Sequence, residues 1–501
     1  MVTKKILARL ASDGRAGTLL ITLRLMLALV FLLPAEACKA CFSIVVGKKA
    51  SVDGYVIMGH NEDDAPPQIV NHHKITRREY PAGEQVRLLN GGRLDQVERT
   101  WAYIWSEMPG MLFSDSYINE WRVSIASNNC PSREDRPEIT DGGIGYMLRR
   151  LVAERARTAR EGVLLAGKLV ERFGYIDSGR TYIICDPDEG WLFCVVNGKH
   201  WLAQRVPDDE VAMVANTFTV HNVDLSDSSD ESDKDNFLAS SDIITYAVWR
   251  GWYDPENDGR FDFAAAYANP DSTFSPSNIG RQWAGLSYIA AEPTLPREEL
   301  PFSVVPRHKV GVADIMRILR HGKSEVKSVQ KNGWPICSSA TQTSFVVQLR
   351  RGVPPDIGIV YWVCLASPCT SVYIPFHFGI ADFPAGFRLE SQRPSQDLYE
   401  QKVTCLFRTD PRQAFWTFSN FHHKIRDASA DMVTQAKAQV QRIQKDTFAL
   451  AKPLEEVAYR LYPQDKMLAM QVLANYSNGI YLSCMDAMSR LLSDASDKSE
   501  K

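Results

Sequence analysis

The chain has 501 residues, of which 45% are hydrophobic and 23% are charged, a composition close to that of an average soluble protein. This composition excludes a wholly disordered chain, a collagen-like chain and a protein with many membrane spans. The 57 basic and 60 acidic residues leave a net charge of −3, so no global basic field indicates nucleic-acid binding.

The first 40 residues have the layout of a secretory signal peptide. Several basic residues precede a short apolar run, Leu25–Leu33, and small residues follow Pro34. Because this run is too short to span a bilayer, we expect cleavage rather than a membrane anchor, and no stable membrane span afterwards. Cleavage before Cys38 and cleavage before Cys41 both fit the small-residue rule, and a lipoprotein acylated at Cys38 is a weaker alternative. The protein is therefore expected to be exported, to a periplasm or out of the cell.

Residues 42–59 have the pattern of a β-hairpin. Phe42–Val46 and Tyr55–Gly59 are apolar runs, and Asp53-Gly54 between them is a turn signal. Cys41 therefore stands at the start of the first predicted strand.

The rest of the chain is predicted to contain strands in runs and helices in runs. The predicted elements are a strand at Trp121–Ser127, a helix at Ile144–Phe173 that breaks near Gly162, a four-strand meander at Thr181–Ala215, an acidic surface loop at Leu225–Asn236, strands at Ser344–Leu349 and Ile359–Leu365, and helices after about Thr409. This grouping favours an α+β fold with antiparallel sheet over a regular alternation of strands and helices.

Motifs spread over residues 41–478 resemble those of one enzyme family. Cys41–Gly54 is similar to the mature start of the PepD-type dipeptidases, which are cysteine peptidases of the N-terminal nucleophile (Ntn) hydrolase superfamily and are related to the secernins. Asn61–Asp63 after the second strand and Ala215-Asn216 after the meander match further landmarks of the family, as do three later segments between residues 251 and 376.

The resemblance implies a four-layer α-β-β-α Ntn-hydrolase sandwich with a helical C-terminal region. The implied organisation is a signal peptide or pro-segment at 1–40, a hydrolase domain at 41–408, and a helical region at 409–501 that packs on the same domain.

The resemblance also implies hydrolysis of the peptide bond of dipeptides through a thioester on Cys41. If Cys41 is the mature N-terminus, its α-amine, with an ordinary pKa of about 8, can take the thiol proton, so no separate histidine is required. Asn216 matches the position of the superfamily's oxyanion-binding Asn, with an Asn that caps a strand end as the alternative. Asp63 is expected to orient or charge-stabilise the α-amine of Cys41, with a solvated turn residue as the alternative.

Five further residues are candidates for substrate binding: His60, Asn61, Glu62, Asn129 and Arg350. Asp63, Glu62 or Asp64 could hold the ammonium group of a dipeptide, although strand alternation is expected to turn Glu62 to the other side from Asp63, where it would support the loop. Asn129 is a second oxyanion candidate, or else part of a turn at Asn128-Asn129. Arg350 could bind the substrate carboxylate or be an exposed residue at a strand end. His60 stands where the family commonly has Arg, and its titratable ring leaves substrate preference and rate open.

Motifs for metals and cofactors are missing from the sequence. It contains no HExxH, no pair of CxxC motifs, no Walker loop and no GxGxxG, so neither a catalytic metal nor a cofactor is expected. Disulfide pairing stays open, and Cys185, Cys194 and Cys364 are expected to be buried thiols because they lie in apolar runs. The expected partner is a dipeptide or short peptide rather than nucleic acid, and a homo-oligomer stays open.

Two other functions stay open. One is hydrolysis or acyl transfer on non-peptide amides by a related Ntn amidohydrolase. The other is a catalytically silent exported binding protein of the same fold, which His60 alone favours. Hydrolysis of free dipeptides would separate the first from a dipeptidase, and turnover that depends on Cys41 would exclude the second.

Overall fold

The computed structural model describes residues 41–64, 69–88, 90–108, 113–225, 236–292, 294–322, 334–388, 409–410 and 412–499. These residues belong to a single compact unit. Among them, no helix combines the length and the apolar character needed to cross a membrane. The predicted signal peptide and residues 226–235 of the predicted acidic loop lie outside the described residues.

The longer strands are rich in β-branched and aromatic residues, which favour extended backbone. In chain order the strands are β1 (Phe42–Val46), β2 (Ile57–Asp63), β3 (Asn71–Ile75), β4 (Arg78–Glu79), β5 (Gln85–Arg87), β6 (Arg93–Asp95), β7 (Arg99–Thr100), β8 (Tyr103–Met108), β9 (Phe113–Asn119), β10 (Ser124–Asn129), β11 (Tyr175–Cys185), β12 (Gly190–Gly198), β13 (Trp201–Arg205), β14 (Val211–Val214), β15 (Phe237–Ala239), β16 (Ser303–Val304), β17 (Thr341–Leu349), β18 (Ile359–Leu365) and β19 (Ile374–His377).

The two longest helices of the described residues are the last two along the chain. In chain order the helices are α1 (Met147–Arg155), α2 (Ala159–Phe173), α3 (Ile243–Trp249), α4 (Phe263–Tyr267), α5 (Pro270–Thr273), α6 (Pro276–Ile289), α7 (Val312–Leu319), α8 (Pro355–Gly358), α9 (Ala414–Arg426), α10 (Ala430–Leu461) and α11 (Lys466–Ser499).

Two antiparallel sheets form the centre of the fold. The first has the order β16-β14-β1-β2-β17-β18-β19 and the second has the order β15-β13-β12-β11-β10-β9-β8-β3. In the first sheet Asn61 of β2 lies between Phe42 of β1 and Ser344 of β17. The predicted hairpin of β1 and β2 is therefore confirmed, and it lies in the interior of the first sheet.

Apolar side chains fill the space between the sheets and the space outside each of them. Between the sheets, Val45 of β1 belongs to the same cluster as Leu192 of β12. Outside the first sheet, Ile44 of β1 packs in a cluster with α6 and α7. Outside the second sheet, Ile184 of β11 packs in a cluster with α1 and α2. The predicted α+β fold, with its α-β-β-α sandwich, is confirmed.

The predicted four-strand meander is only partly right. Its first three strands, β11, β12 and β13, are neighbours in the second sheet, whereas the fourth, β14, pairs with β1 in the first sheet. Apolar residues identify β14 as a strand, but they do not specify which strand it pairs with. Because Val214 lies opposite Ser43, the crossing brings Ala215 and Asn216 level with the start of β1.

Several predicted boundaries are wrong, including that of the strand predicted at Trp121–Ser127, which is β10 (Ser124–Asn129). The helical segment breaks at residues 156–158 rather than near Gly162, because Thr158 Oγ1 accepts the backbone N–H of Glu161 and caps α2. The second strand of the hairpin begins and ends later than predicted, so Asn61–Asp63 are its last residues and not a loop that follows it.

One disulfide is present among the described cysteines, between Cys337 and Cys369, with Cα atoms 6.6 Å apart. The described free thiols are all buried, and they include those at the three positions where the sequence predicts buried thiols: Cys185, Cys194 and Cys364.

The C-terminal helices pack against β19, an edge strand of the first sheet. Ser477 Oγ of α11 donates a hydrogen bond to Pro375 O at 2.5 Å. Glu455 of α10 accepts from Arg350 Nη1 at 2.7 Å and pairs with His377 Nε2 at 3.0 Å. Although burial opposes the shift, these two partners lower the pKa of Glu455 to about 2. The helices therefore share polar contacts as well as apolar contacts with the sheet.

Gly47→Ala is expected to destabilise the fold. An added Cβ would lie 2.2 Å from Pro207 O and 2.4 Å from Asp208 O, and these backbone atoms cannot move without disturbing the start of β14. We expect a loss of about 1–3 kcal/mol, seen as a lower Tm. Gly479→Ala in α11 is the control, because its Cβ would have no neighbour within 4 Å and alanine favours a helix. Equal losses in the two variants would contradict this reading of Gly47.

Glu455→Gln is expected to lower the free energy of unfolding by about 1–3 kcal/mol near neutral pH. The folded pKa of about 2 lies below the ordinary value of 4.5, so the stabilisation is complete above the ordinary value and is lost as the pH falls towards the folded value. Urea unfolding near pH 7 and at about pH 3 measures the difference between variant and wild type. That difference should shrink at the lower pH, and a constant difference would contradict the assigned ion pairs.

Candidate active site

Cys41 immediately precedes β1, and its side chain faces the space between the two sheets. Side chains alternate along a strand, so Cys41 shares the inner face with Val45, while Phe42 and Ile44 face α6 and α7. The residue is only 4% exposed. A nearly buried thiol therefore lies at the N-terminal end of β1, on the side that faces the second sheet.

The same alternation on β2 brings His60 and Glu62 to Cys41. Glu62 Oε1 lies 3.3 Å from Cys41 Sγ, and Glu62 Oε2 lies 3.2 Å from His60 Nε2. Strand alternation does turn Glu62 to the other side from Asp63, as predicted, but that side faces Cys41, so the prediction that Glu62 supports the loop is wrong. Ligand atoms of Cys41, His60 and Glu62 lie within 4.8 Å of one another, so these side chains could also hold a metal ion.

A series of hydrogen bonds runs from the second sheet to His60. Asn128 Nδ2 donates to Val214 O and to Ala215 O, each at 3.0 Å, which identifies Asn128 Oδ1 as an acceptor. Ser43 Oγ donates its only hydrogen to this Oδ1, so Ser43 Oγ must accept a hydrogen bond from His60 Nδ1, which lies 2.7 Å away. The proton of a neutral His60 ring is therefore on Nδ1.

This tautomer has a consequence for the contact between His60 and Glu62. Burial lowers the pKa of His60, which favours the neutral ring. A neutral ring with its proton on Nδ1 presents the Nε2 lone pair to Glu62 Oε2. Two acceptors then face each other, and the contact is favourable when a proton or another cation lies between them.

Asp63 is held by two hydroxyl groups. Thr341 Oγ1 donates to its Oδ1 at 2.6 Å and Ser338 Oγ donates to its Oδ2 at 3.1 Å. Burial raises the pKa of Asp63 to about 7, against the lowering effect of these hydroxyls and of Arg281. Its main-chain O lies 3.9 Å from Cys41 Sγ, so Asp63 borders the thiol. Its role towards an α-amine stays a prediction.

Arg281 of α6 connects Cys41 to Asn216. Its Nη1 donates to Cys41 O at 3.0 Å and its Nη2 donates to Asn216 Oδ1 at 3.0 Å. Asn216 Nδ2 donates to Asn129 O at 2.8 Å, and the second hydrogen on Nδ2 has no acceptor within the described parts of the chain. The Asn216 amide and the main chain of Cys41 therefore share the Arg281 guanidinium, and the role of Asn216 as an oxyanion donor stays a prediction.

The surroundings of Cys41 favour the protonated thiol. Burial is the largest cause of a pKa well above the ordinary value, and the charges of Glu62 and Asp63 add to it, while Arg180 acts in the opposite direction. Because the thiolate is the nucleophilic form, this thiol needs a nearby base or cation before it can react.

Two predicted substrate-binding residues are not brought to the thiol. Asn61 points to the opposite face of β2, where its Nδ2 donates to Leu319 O at 3.0 Å. Arg350 follows β17 at the end that is remote from Cys41, roughly 20 Å along the strand, and pairs there with Glu455. Asn61 and Arg350 therefore support the fold around the site rather than the site itself.

Sequence patterns did not identify Ser43, Asn128 or Arg281 as parts of the site. Asn128 and Asn129 are the last residues of β10, so the predicted turn there is wrong. Arg281 is the sole charged residue of α6. A single charged residue on a helix that packs against the core could have indicated a polar site nearby, because a buried arginine requires polar partners.

Curated proteins similar to this chain carry the name dipeptidase. "Probable dipeptidase B" of Streptococcus pyogenes serotype M1 is 24% identical over 415 residues, which are 76% of this chain and 78% of that protein. "Probable dipeptidase" of Latilactobacillus sakei is 26% identical over 378 residues, which are 70% of this chain and 76% of that protein.

Two solved structures are similar to parts of the chain at low identity. A variant of conjugated bile acid hydrolase from Clostridium perfringens is 11% identical, with a TM-score of 0.33 over 65% of this chain and 89% of that one. A Caenorhabditis elegans ortholog of N-acylethanolamine-hydrolyzing acid amidase is 12% identical, with a TM-score of 0.28 over 61% of this chain and 92% of that one.

A family model covers most of the chain. The model of Peptidase family C69 matches residues 40–427, which begin one residue before Cys41 and include both sheets and α9. The resemblance to a cysteine-peptidase family is thereby confirmed, and this chain belongs to Peptidase family C69.

Proposed function

We propose that this protein is an exported cysteine dipeptidase whose nucleophile is the thiol of Cys41 at a mature N-terminus. The proposal depends on one observation, the position of Cys41 at the start of β1. There Cys41 Sγ lies 3.3 Å from Glu62 Oε1, and Arg281 donates hydrogen bonds both to the main-chain O of Cys41 and to Asn216 Oδ1. Membership of Peptidase family C69 and relatives named probable dipeptidases support the substrate class.

The α-amine of Cys41 is the base in this proposal. With residue 40 attached, the nitrogen of Cys41 is an amide and cannot take a proton. Removal of residues 1–40 converts it to an amine with an ordinary pKa of about 8, which can accept the thiol proton. The carboxylates of Glu62 and Asp63 oppose a lone thiolate, but they stabilise the ammonium of an ammonium–thiolate pair.

The proposed reaction proceeds through a thioester. The thiolate of Cys41 attacks the carbonyl carbon of the dipeptide, and the oxyanion that forms accepts the second N–H of Asn216. The C–N bond then breaks as the α-ammonium returns its proton to the leaving amine. The α-amine next removes a proton from water, which attacks the thioester, releases the second amino acid and restores the thiol.

The charge of the site favours a substrate with a free amino group. Glu62 is almost fully buried beside the nucleophile, and Asp63 follows it on the same strand. A dipeptide carries an ammonium group within a few bonds of its scissile carbonyl, so one of these carboxylates can bind it while the other stabilises the N-terminus of the enzyme.

Cys41→Ala is expected to abolish dipeptide hydrolysis in a protein that still folds, because the substitution removes the nucleophile and leaves a small apolar side chain. Cys41→Ser should retain weak activity, since a hydroxyl is a poorer nucleophile. Hydrolysis of a panel of free dipeptides, measured with far-UV circular dichroism on the same samples, checks both. Cys194→Ala, which removes a buried thiol of β12, is the matched control and should keep its activity.

The intact mass and the first residue of the exported protein complete this test. A start at Cys41 supports the proposed base, whereas an active protein that keeps residue 40 would contradict it. Full activity in Cys41→Ala would overturn the assignment of the nucleophile. Hydrolysis of non-peptide amides without hydrolysis of dipeptides would move the proposal to an amidohydrolase.

Asn216→Ala is expected to lower kcat about 10²–10³-fold with little change in KM, because the oxyanion donor acts mainly in the transition state. Asn129→Ala is the matched control, since it keeps the main-chain O to which Asn216 donates. Steady-state measurement of kcat and KM for the two variants and the wild type shows which of the two side-chain amides contributes to catalysis. An equal loss of kcat in both, or a loss confined to Asn129→Ala, would contradict the role given to Asn216.

A further inference from the structure

We propose that Cys41, His60 and Glu62 form a binding site for Zn²⁺, and that the bound ion blocks the nucleophile. The effect on catalysis rests on the proposed function, whereas the site depends on geometry alone. One ligand atom from each of the three side chains lies within 4.8 Å of the other two. Thiolate, imidazole and carboxylate are the ligand types that bind zinc in proteins.

The His60 ring is oriented like the ring of a metal ligand. Its Nδ1–H donates to Ser43 Oγ, which in turn donates to Asn128 Oδ1. Metal-bound histidines donate their second ring N–H to an oxygen in this way, and the bond fixes both the tautomer and the ring plane. The Nε2 lone pair of His60 therefore points to Glu62, where a metal ion would lie.

The distances between the ligand atoms are close to those around tetrahedral zinc. Zn–S bonds of about 2.3 Å and Zn–N or Zn–O bonds of about 2.0–2.1 Å place ligand atoms roughly 3.3–3.6 Å apart. Cys41 Sγ lies 3.3 Å from one Glu62 oxygen and His60 Nε2 lies 3.2 Å from the other. The ligand atoms of Cys41 and His60 are at most 4.8 Å apart, so their separation needs to shorten by at most about 1.2 Å.

The charge of the site also suits a dication. Glu62 and Asp63 are buried next to the thiol: Glu62 Oε1 lies 3.3 Å and Asp63 O lies 3.9 Å from Cys41 Sγ. When Zn²⁺ binds, the thiol proton is released to solvent and a Zn–S bond forms. The thiolate and the Glu62 carboxylate then balance the two positive charges of the ion.

Maturation at Cys41 adds a fourth ligand from the same residue. The α-amine and the thiolate of an N-terminal cysteine can bind one metal ion together and close a chelate ring. Four protein ligands complete tetrahedral zinc and leave no open position for water or substrate. Because the nucleophile and its base are both bound to the ion, hydrolysis stops until the ion is removed.

Co²⁺ is the probe for this site, since its spectrum reports thiolate ligation without reference to catalysis. Mature wild-type protein, freed of metal with a chelator, is titrated with Co²⁺. We expect a thiolate-to-cobalt charge-transfer band that saturates at one equivalent and disappears when Zn²⁺ is added. His60→Gln should weaken binding at least about 10- to 100-fold, Cys41→Ala should remove the band, and Cys194→Ala should keep it.

Two results would overturn the site: absence of the band in folded wild-type protein, or unchanged affinity in His60→Gln. If His60→Gln does not fold, X-ray absorption of the Zn²⁺-loaded wild type decides. A single sulfur at about 2.3 Å with nitrogen and oxygen neighbours supports the site, whereas no sulfur or more than one sulfur contradicts it.

Dipeptide hydrolysis in the same samples separates this inference from the proposed function. Hydrolysis that Zn²⁺ stops and a chelator restores supports both. A cobalt band in a metal-free protein that never hydrolyses dipeptides supports the site and contradicts the proposed function. Hydrolysis without the band contradicts the site and leaves the proposed function in place.

Discussion

The active-site region depends on the side chain of Asn128, a buried amide that joins the two sheets. Its Nδ2 satisfies two carbonyls at the end of β14 and its Oδ1 accepts the Ser43 hydroxyl of β1. A buried polar group without a partner costs about 1–3 kcal/mol, so a shift of one sheet against the other is unfavourable at this point. Because Ser43 is two residues from Cys41 on the same face of β1, this one amide also determines where the thiol lies and which nitrogen of His60 carries the proton.

The charges around the thiol connect the proposed maturation to the proposed activity. Two buried carboxylates next to a thiol hinder its ionisation as long as the neighbouring nitrogen is an amide. The same carboxylates favour ionisation once that nitrogen can become an ammonium, because the ammonium and the thiolate form a pair whose positive member they stabilise. On this argument, a precursor and a mature enzyme with the same side chains differ in the reactivity of Cys41 because of a single new charge. Arg281 is less suited to this role, since it is bound to the carbonyl of Cys41 and to Asn216.

Local patterns in the sequence are sufficient to predict the hairpin and the layers, but not the contacts that make the site. The apolar runs and the Asp53-Gly54 turn identify β1 and β2, and runs of strands and helices identify the α+β class. The position of β14 depends on pairing between distant segments, which alternation does not encode. Glu62 faces Cys41 because β2 continues to Asp63. Asn61–Asp63 are polar, so the apolar pattern of the strand does not predict this continuation. Arg281 reaches the site from a helix that is 240 residues away from Cys41 in the chain.

The identity of residue 60 changes the chemistry of the site without a change in the backbone that carries it. An arginine at this position would carry a fixed positive charge and no lone pair. His60 is buried with a lowered pKa, so its ring compensates the charge of Glu62 less than an arginine would. In the proposed mechanism the thiol of Cys41 consequently depends more on the α-ammonium, and Nε2 offers a lone pair to the proposed metal ion. Pairing with β1 and β17 on either side determines the register of β2. Histidine in place of arginine at residue 60 therefore changes the charge and the possible metal ligands of the site without moving the backbone.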